Sequence, residues 1–201
     1  MTASKSTPYE NVSSGLWYKV TESLIIQHPL DEQEIVDIVL SSWNSIFDSS
    51  IGQHHFRIGQ HIFPKPQIMG FLLHELITLE TATRYPSEWR GDKNPSDKDL
   101  IYIPDDQFSI EIKTSSNKTQ IFGNRSYAQV AASNKKSKSG YYLAINFEKF
   151  EKTRKKPKIL LIRFGWLDHS DWIGQKSATG QQARLSTETY EKKFKTLYTE
   201  S

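Results

Sequence analysis

The sequence predicts an α/β layered domain built around a central mixed β-sheet flanked by α-helices. Three observations predict it. Two long stretches carry apolar residues at helical spacing, a pair of short alternating runs meets at a turn in mid-chain, and two further apolar runs of strand length follow.

In chain order, residues 1–30 read as irregular, with a strand through Leu16–Val20. Asp31 with Glu34 three residues later is a capping-box pattern, Asp standing in for Ser or Thr. It opens a helix to about Phe47, with Ile35, Val39, Trp43 and Ile46 on one face. His54–Pro66 reads as loop and short extended pieces. A second helix spans about Pro66–Arg84, carrying Met69, Leu72, Leu73, Leu76 and Leu79. Glu88–Lys98 is polar and turn-rich. Asp99–Ile103 and Phe108–Lys113 are then two short strands joined by Pro104, Asp105, Asp106 and Gln107, a hairpin signature. A helix is expected around Tyr127–Asn134, strands at Tyr141–Phe147 and Lys158–Phe164, and a helix through Thr187–Tyr198. No repeat or low-complexity linker divides the chain, so 1–201 reads as one domain.

Composition narrows the function classes. No apolar run approaches the ~18 residues of a membrane helix. Met1–Pro8 is polar and lacks the apolar core of a signal peptide, and the mean hydropathy is -0.60, so the cytoplasm is the simplest location. The absence of cysteine excludes disulfides and thiolate-held zinc. The net charge of +3 is unevenly spread: Lys135–Lys158 holds eight Lys and one Arg against two Glu, a local +7, which leaves -4 for the rest. Such segregation suits a polyanion, although a lysine-rich solvated loop gives the same count.

The chemistry concentrates in the hairpin. Phe108, Ile110 and Ile112 alternate with Ser109, Glu111 and Lys113, so Glu111 and Lys113 share a strand face. Asp99 opens the preceding strand. If the connection is three or five residues long, Asp99 lands opposite Lys113 or Glu111, on their face; an even one would put it on the other face, opposite Ile112. Two carboxylates and a lysine so placed make a metal-dependent phosphodiester site: hard oxygens hold Mg²⁺, and the lysine stabilises the transition state or orients the attacking hydroxide. Glu-x-Lys alone means little, because 13 Glu and 19 Lys predict about 1.2 occurrences by chance. The second occurrence, at Glu191, lies in a polar tail with no acidic strand before it. Spacing leaves a nuclease site and a merely charged hairpin face equally open.

The run DLIYIPDDQFSIEIKTSS resembles the core of the PD-(D/E)xK nuclease superfamily. IFGNRSYAQ and GWLDHSDW…ATGQQARL are similar to stretches of type II restriction endonucleases, and more narrowly of the ScaI-type restriction family. The resemblance covers about Pro66 to Leu185. It implies a restriction-endonuclease-like core, Mg²⁺ as cofactor, and double-stranded DNA as substrate. It implies Asp99, Glu111 and Lys113 as catalytic residues, with Asp99, Glu111 and the Ile112 carbonyl on the metal. The literal Pro-Asp pair, Pro104–Asp105, is too close to Glu111 and lies in the turn, so Asp99 is the aligned acid and Asp97 the fallback.

Other positions are weighed beside it. Glu75 lies on the apolar helix stripe and is a fourth candidate, in competition with Glu80; a helix-edge Glu reaching solvent fits equally. Gln129 stands where related nucleases often place a Gln. Asn124 and Arg125, and Thr179, Gln181 and Arg184, could read base edges, and Lys135, Lys136 and Lys138 could contact phosphates; all could also be ordinary surface. Trp166, Asp168, Asp171 and Trp172 read as structural. His54, His55 and His61 lack the companions of a metal cluster. A palindromic site would call for a homodimer, with a cognate methyltransferase as genetic partner. A repair or junction-resolving nuclease of the same fold, and a non-catalytic DNA-binding module, are the alternatives.

Overall fold

The computed structural model describes residues 7–130, 135–154, 156–177 and 179–200. The elements are α1 (Trp17–Ile26), α2 (Glu32–Asp48), β1 (Ser50–Ile51), β2 (Phe56–Arg57), α3 (Pro66–Arg84), β3 (Trp89–Gly91), β4 (Leu100–Tyr102), β5 (Ile110–Ser115), β6 (Phe122–Asn124), β7 (Gly140–Phe147), β8 (Ile159–Leu167), β9 (Trp172–Gly174), β10 (Gln182–Leu185), α4 (Thr187–Lys192) and β11 (Phe194–Thr199). Six strands form a mixed sheet in the order β11-β8-β7-β5-β4-β3, with β5 and β7 parallel and every other pair antiparallel. A three-stranded sheet, β6-β10-β9, stands apart from it.

Strand alternation splits the core in two. Ile110 and Ile112 of β5, with Tyr141, Leu143, Ile145 and Phe147 of β7, join the apolar faces of α2 and α3. Tyr142 and Ala144 point the other way, into a smaller cluster with Tyr127, Trp172 and Leu185. Helix α2 starts as expected, with the Asp31 carboxylate accepting from Glu34 N at 2.8 Å. Glu34 does not complete the box; its carboxylate pairs with Arg84 at 2.8 Å and ties α2 to α3. Helix α3 has the expected bounds. Its core face is Met69, Leu73 and Ile77, while Leu79 is 61% exposed, a departure from the expected stripe. At Gly70 the helix lies so close to β5 that an added Cβ would sit 2.7 Å from Thr114 Oγ1. This approach brings the middle of α3 beside the hairpin.

Three expectations need correction. Leu16–Val20 is not a strand; Leu16 closes a 3-10 turn and α1 takes in Trp17–Val20, because Thr21 and Ile25, four residues apart, are buried, and Thr21 Oγ1 donates to Lys192 O at 2.7 Å. The C-terminal helix stops at Lys192, and Phe194–Thr199 becomes an edge strand on β8. Its Phe, Thr, Leu and Tyr suit a half-buried pleated surface, and the strand covers the otherwise open edge of β8. Of the helix expected at 127–134, residues 127–128 only close a single 3-10 turn, Arg125–Ala128, and Gln129 is already extended; residues 131–134 lie outside the described residues. Among the described residues no helix is long and apolar enough to cross a membrane.

Candidate active site

The hairpin connection runs over residues 103–109, an odd count of seven. Within it a 3-10 turn, Asp106–Phe108, is capped by the Asp105 carboxylate, which accepts from Gln107 N at 3.1 Å. Leu100 pairs with Ile110, and this register carries Asp99 opposite Glu111. Asp99 therefore joins the Glu111–Lys113 face. Asp97 is engaged elsewhere, with Arg90 at 2.8 Å and Lys93 N at 3.0 Å.

Both acids are buried, Asp99 8% and Glu111 1% exposed. Asp99 Oδ2 accepts from Ile112 N at 2.8 Å and lies 3.3 Å from His74 Nε2. Glu111 Oε1 accepts from Lys113 Nζ at 2.6 Å and from the Tyr127 hydroxyl. Lys136 lies between the acids, its Nζ 2.6 Å from Asp99 Oδ1 and 3.1 Å from Glu111 Oε2. The contact to Oε2 is an ion pair without hydrogen-bond alignment, so Oε2 is a buried acceptor with no hydrogen-bond partner.

Burial would by itself raise both carboxyl pKa values. At Asp99 the His74 hydrogen bond and the Lys113 and Lys136 ammonium groups outweigh it and hold the carboxyl well below the usual range. At Glu111 burial and Asp99 push upward, and Lys113, Lys136 and Lys98 together win, again lowering the value. Both acids are thus kept ionised. Burial pulls the Lys98 ammonium down to about 8 despite the nearby Glu111. At His74 burial acts downward, but Asp99 and Glu75 raise the value overall.

This donor set fits a hard divalent ion. Two ionised carboxylates converge on one position that a cation, the Lys136 ammonium, already takes, and one carboxylate oxygen has a free lone pair. Mg²⁺ needs one or two protein carboxylates and fills its remaining positions with water and phosphate oxygens. Among the described residues no cluster of three His, Cys, Asp or Glu side chains could hold a metal, and His54, His55 and His61 are exposed. A cavity of about 580 Å³ beside the site is lined by Gly70, His74, Glu75, Thr114, Ser115 and Phe122, among others.

The remaining candidates separate. The Glu75 carboxylate is half-exposed and reaches His74 Nδ1 at 3.5 Å, so it meets Asp99 only through the imidazole. Glu80 is bound to Arg84 at 2.7 Å, away from the acids. Asn124, Gln181 and Arg184 are exposed, and β6-β10-β9 pairing brings their two segments together: Gln182 pairs with Asn124, and Arg125 N donates to Gln181 O at 2.7 Å. The Arg125 guanidinium donates to Ser177 O at 3.2 Å. Thr179 follows in the same loop. Gln129 is exposed just beyond the 3-10 turn. Lys135 is exposed, whereas Lys138 Nζ sits 4.2 Å from the Tyr127 ring centre and Lys136 sits between the acids. Asp168 and Asp171 cap the turn His169–Asp171, and Asp171 also pairs with buried Lys193 at 2.7 Å, a structural role as expected. Trp172 is buried against Tyr127 and Tyr142.

Sequence reasoning missed His74 and Tyr127. The signal for His74 was its place on α3 next to Glu75, one turn after Gly70. Tyr127 carried none beyond being an aromatic in a polar stretch.

The profile of the ScaI restriction endonuclease family matches residues 7–198. The chain is 53% identical over 181 residues to a type II restriction enzyme, ScaI, of Streptomyces caespitosus, covering 89% of this chain and 79% of that protein. No solved structure matches. The profile spans both acids, the lysine and all six strands of the central sheet through most of β11. With the match running nearly end to end and the close relative agreeing, the chain belongs to the ScaI restriction endonuclease family.

Proposed function

We propose that this chain is a type II site-specific deoxyribonuclease that hydrolyses phosphodiester bonds of double-stranded DNA with Mg²⁺ at Asp99, Glu111 and Lys113. The observation that carries the reading is the convergence of two buried, ionised carboxylates on one cation position beside Lys113.

Asp99, Glu111 and the Ile112 carbonyl would hold the ion. When bound, it supplies Lewis acidity at the scissile phosphate and favours ionisation of the attacking water. Lys113 keeps its ammonium within 2.6 Å of Glu111 Oε1 and 3.3 Å of Ile112 O, so it is held at the rim of that position. From there it orients the nucleophile and offsets charge building on the phosphate oxygens. Glu75 supports Asp99 through His74. No covalent intermediate is needed, because water attacks directly.

Lys135, Lys138 and the rest of the basic block to Lys158 engage phosphates, which makes affinity salt-dependent. Asn124, Arg125, Gln181 and Arg184, gathered by the three-stranded sheet, read base edges, with Gln129 near them. A palindromic duplex presents two equivalent strands, so the active form is a homodimer. The chain acts as one nuclease domain in the cytoplasm, where a cognate methyltransferase, a genetic rather than physical partner, protects host DNA.

Incubation with phage DNA and Mg²⁺ should give discrete fragments. Lys113→Ala should abolish cleavage and leave duplex binding largely intact. Full cleavage by that variant would sink the mechanism, and a continuous smear from the parent would sink site specificity.

A further inference from the structure

The two lysines at the acids are held differently. Lys113 belongs to β5 and is fixed to its own strand through Ile112 O. Lys136 comes from the segment ahead of β7, outside every sheet, and reaches across to Asp99 Oδ1 and Glu111 Oε2. Lys113 takes Glu111 Oε1, and Ile112 N and His74 take Asp99 Oδ2, so Lys136 meets the two oxygens that remain. Without it, no cation bridges the two buried carboxylates: Lys113 contacts only Glu111 and His74 only Asp99, so their mutual repulsion is less offset.

A divalent ion such as Mg²⁺ binds carboxylate oxygen at about 2.0–2.1 Å. An ammonium 2.6 Å from the same Oδ1 and 3.1 Å from Oε2 leaves no room for it. We propose that Lys136 is a resident counter-cation that the metal must displace, and that the displaced ammonium passes to a DNA phosphate. The proposal rests on reading Asp99 and Glu111 as metal ligands.

Charge supports the second half. Lys98, Lys113, Lys136 and Lys138 surround two acids, so a divalent ion entering between the acids leaves the four ammonium groups in excess. That excess attracts a polyanion. Metal and DNA then load cooperatively: the metal frees Lys136 for the phosphate, and the phosphate keeps Lys136 from returning. A free enzyme of this kind binds metal weakly until its substrate arrives.

The test is Mn²⁺ binding to the DNA-free protein, read by electron paramagnetic resonance, for parent, Lys136→Met and Asp99→Asn. Folded Lys136→Met should bind Mn²⁺ roughly tenfold more tightly, since one charge-assisted hydrogen bond no longer has to break. Equal or weaker binding overturns the proposal. Should Lys136→Met fail to fold, the parent still decides. Amine-directed labelling at Lys136, mapped by mass spectrometry, should rise with added Mn²⁺, and labelling that stays level while Mn²⁺ binds overturns the proposal. Binding that survives Asp99→Asn, or no binding by any of the proteins, instead overturns the reading of the acids as ligands.

Discussion

Replacing Tyr127 by Phe removes one hydroxyl and leaves the ring that packs on Trp172 with centres 5.2 Å apart. The Lys113 and Lys138 ammonium groups, 4.6 and 4.2 Å from that ring centre, keep their aromatic contact. What disappears is the donor to Glu111 Oε1. Glu111 is then left with Lys113 at 2.6 Å and Lys136 at 3.1 Å, while its Oε2 already has no hydrogen bond. A hydrogen bond to a charged group contributes about 1.5–3 kcal/mol, and each 1.36 kcal/mol of barrier is about tenfold in rate. If Tyr127 holds the carboxylate in its working orientation, Tyr127→Phe should cut cleavage roughly 10- to 100-fold. Duplex binding should stay near parent, because the hydroxyl is spent inside the site. The assay is the initial rate of fragment formation from phage DNA at saturating Mg²⁺, beside a thermal unfolding curve showing that the variant is folded. A folded variant cleaving within about twofold of the parent would refute the assignment.

Two further outcomes concern stability. His28 is buried among Trp89, Phe108, Tyr141 and Phe164, and burial lowers its pKa from 6.5 to about 4; the neutral ring donates from Nε2 to Phe108 O at 3.0 Å and accepts at Nδ1 from Leu30 N at 3.2 Å. The unfolded chain takes up this proton near pH 6.5 and the folded chain only near pH 4. The unfolded state therefore binds more protons in between, and stability falls as pH drops through that window, by up to roughly 3 kcal/mol. Urea unfolding at pH 7 and pH 4.5 should show the loss, and in His28→Gln this part of the pH slope should vanish; an unchanged slope would refute it. Asp171→Ala should destabilise the fold by about 3 kcal/mol, because it leaves the buried Lys193 ammonium without its carboxylate and with only the Tyr9 and Trp17 ring faces, each 4.3 Å away. The midpoint of thermal unfolding measures this, and a drop of only a degree or two would contradict it.

Much of the site was legible because strand alternation is local. Once Ile110 and Ile112 face the core, Glu111 and Lys113 must share the opposite face, whatever the rest of the chain does. Local capping chemistry likewise sets the start of α2. Asp99 was not settled in this way: the four residues Pro104–Gln107 expected to join the strands are an even count, and only the observed pairing of Leu100 with Ile110 across a seven-residue connection brings it to that face. Short windows misled where packing outweighed propensity. Leu16–Val20 is too brief to reveal the helical spacing that Thr21 and Ile25 complete, and Phe194–Thr199 turned to strand because β8 offered it an edge.

The sequence by itself thus determined the layered α/β plan, the acidic hairpin and the family, all carried by local pattern and by residue identity along the chain. Tertiary structure alone decided which partners close around the acids. His74 arrives from a helix docked at Gly70, Tyr127 from a turn sixteen residues past Glu111, and Lys136 from beyond that turn. Each contact depends on how separate elements pack, and no spacing rule reaches across those distances. The same packing removed the acids from water, and that burial makes the cation between them matter.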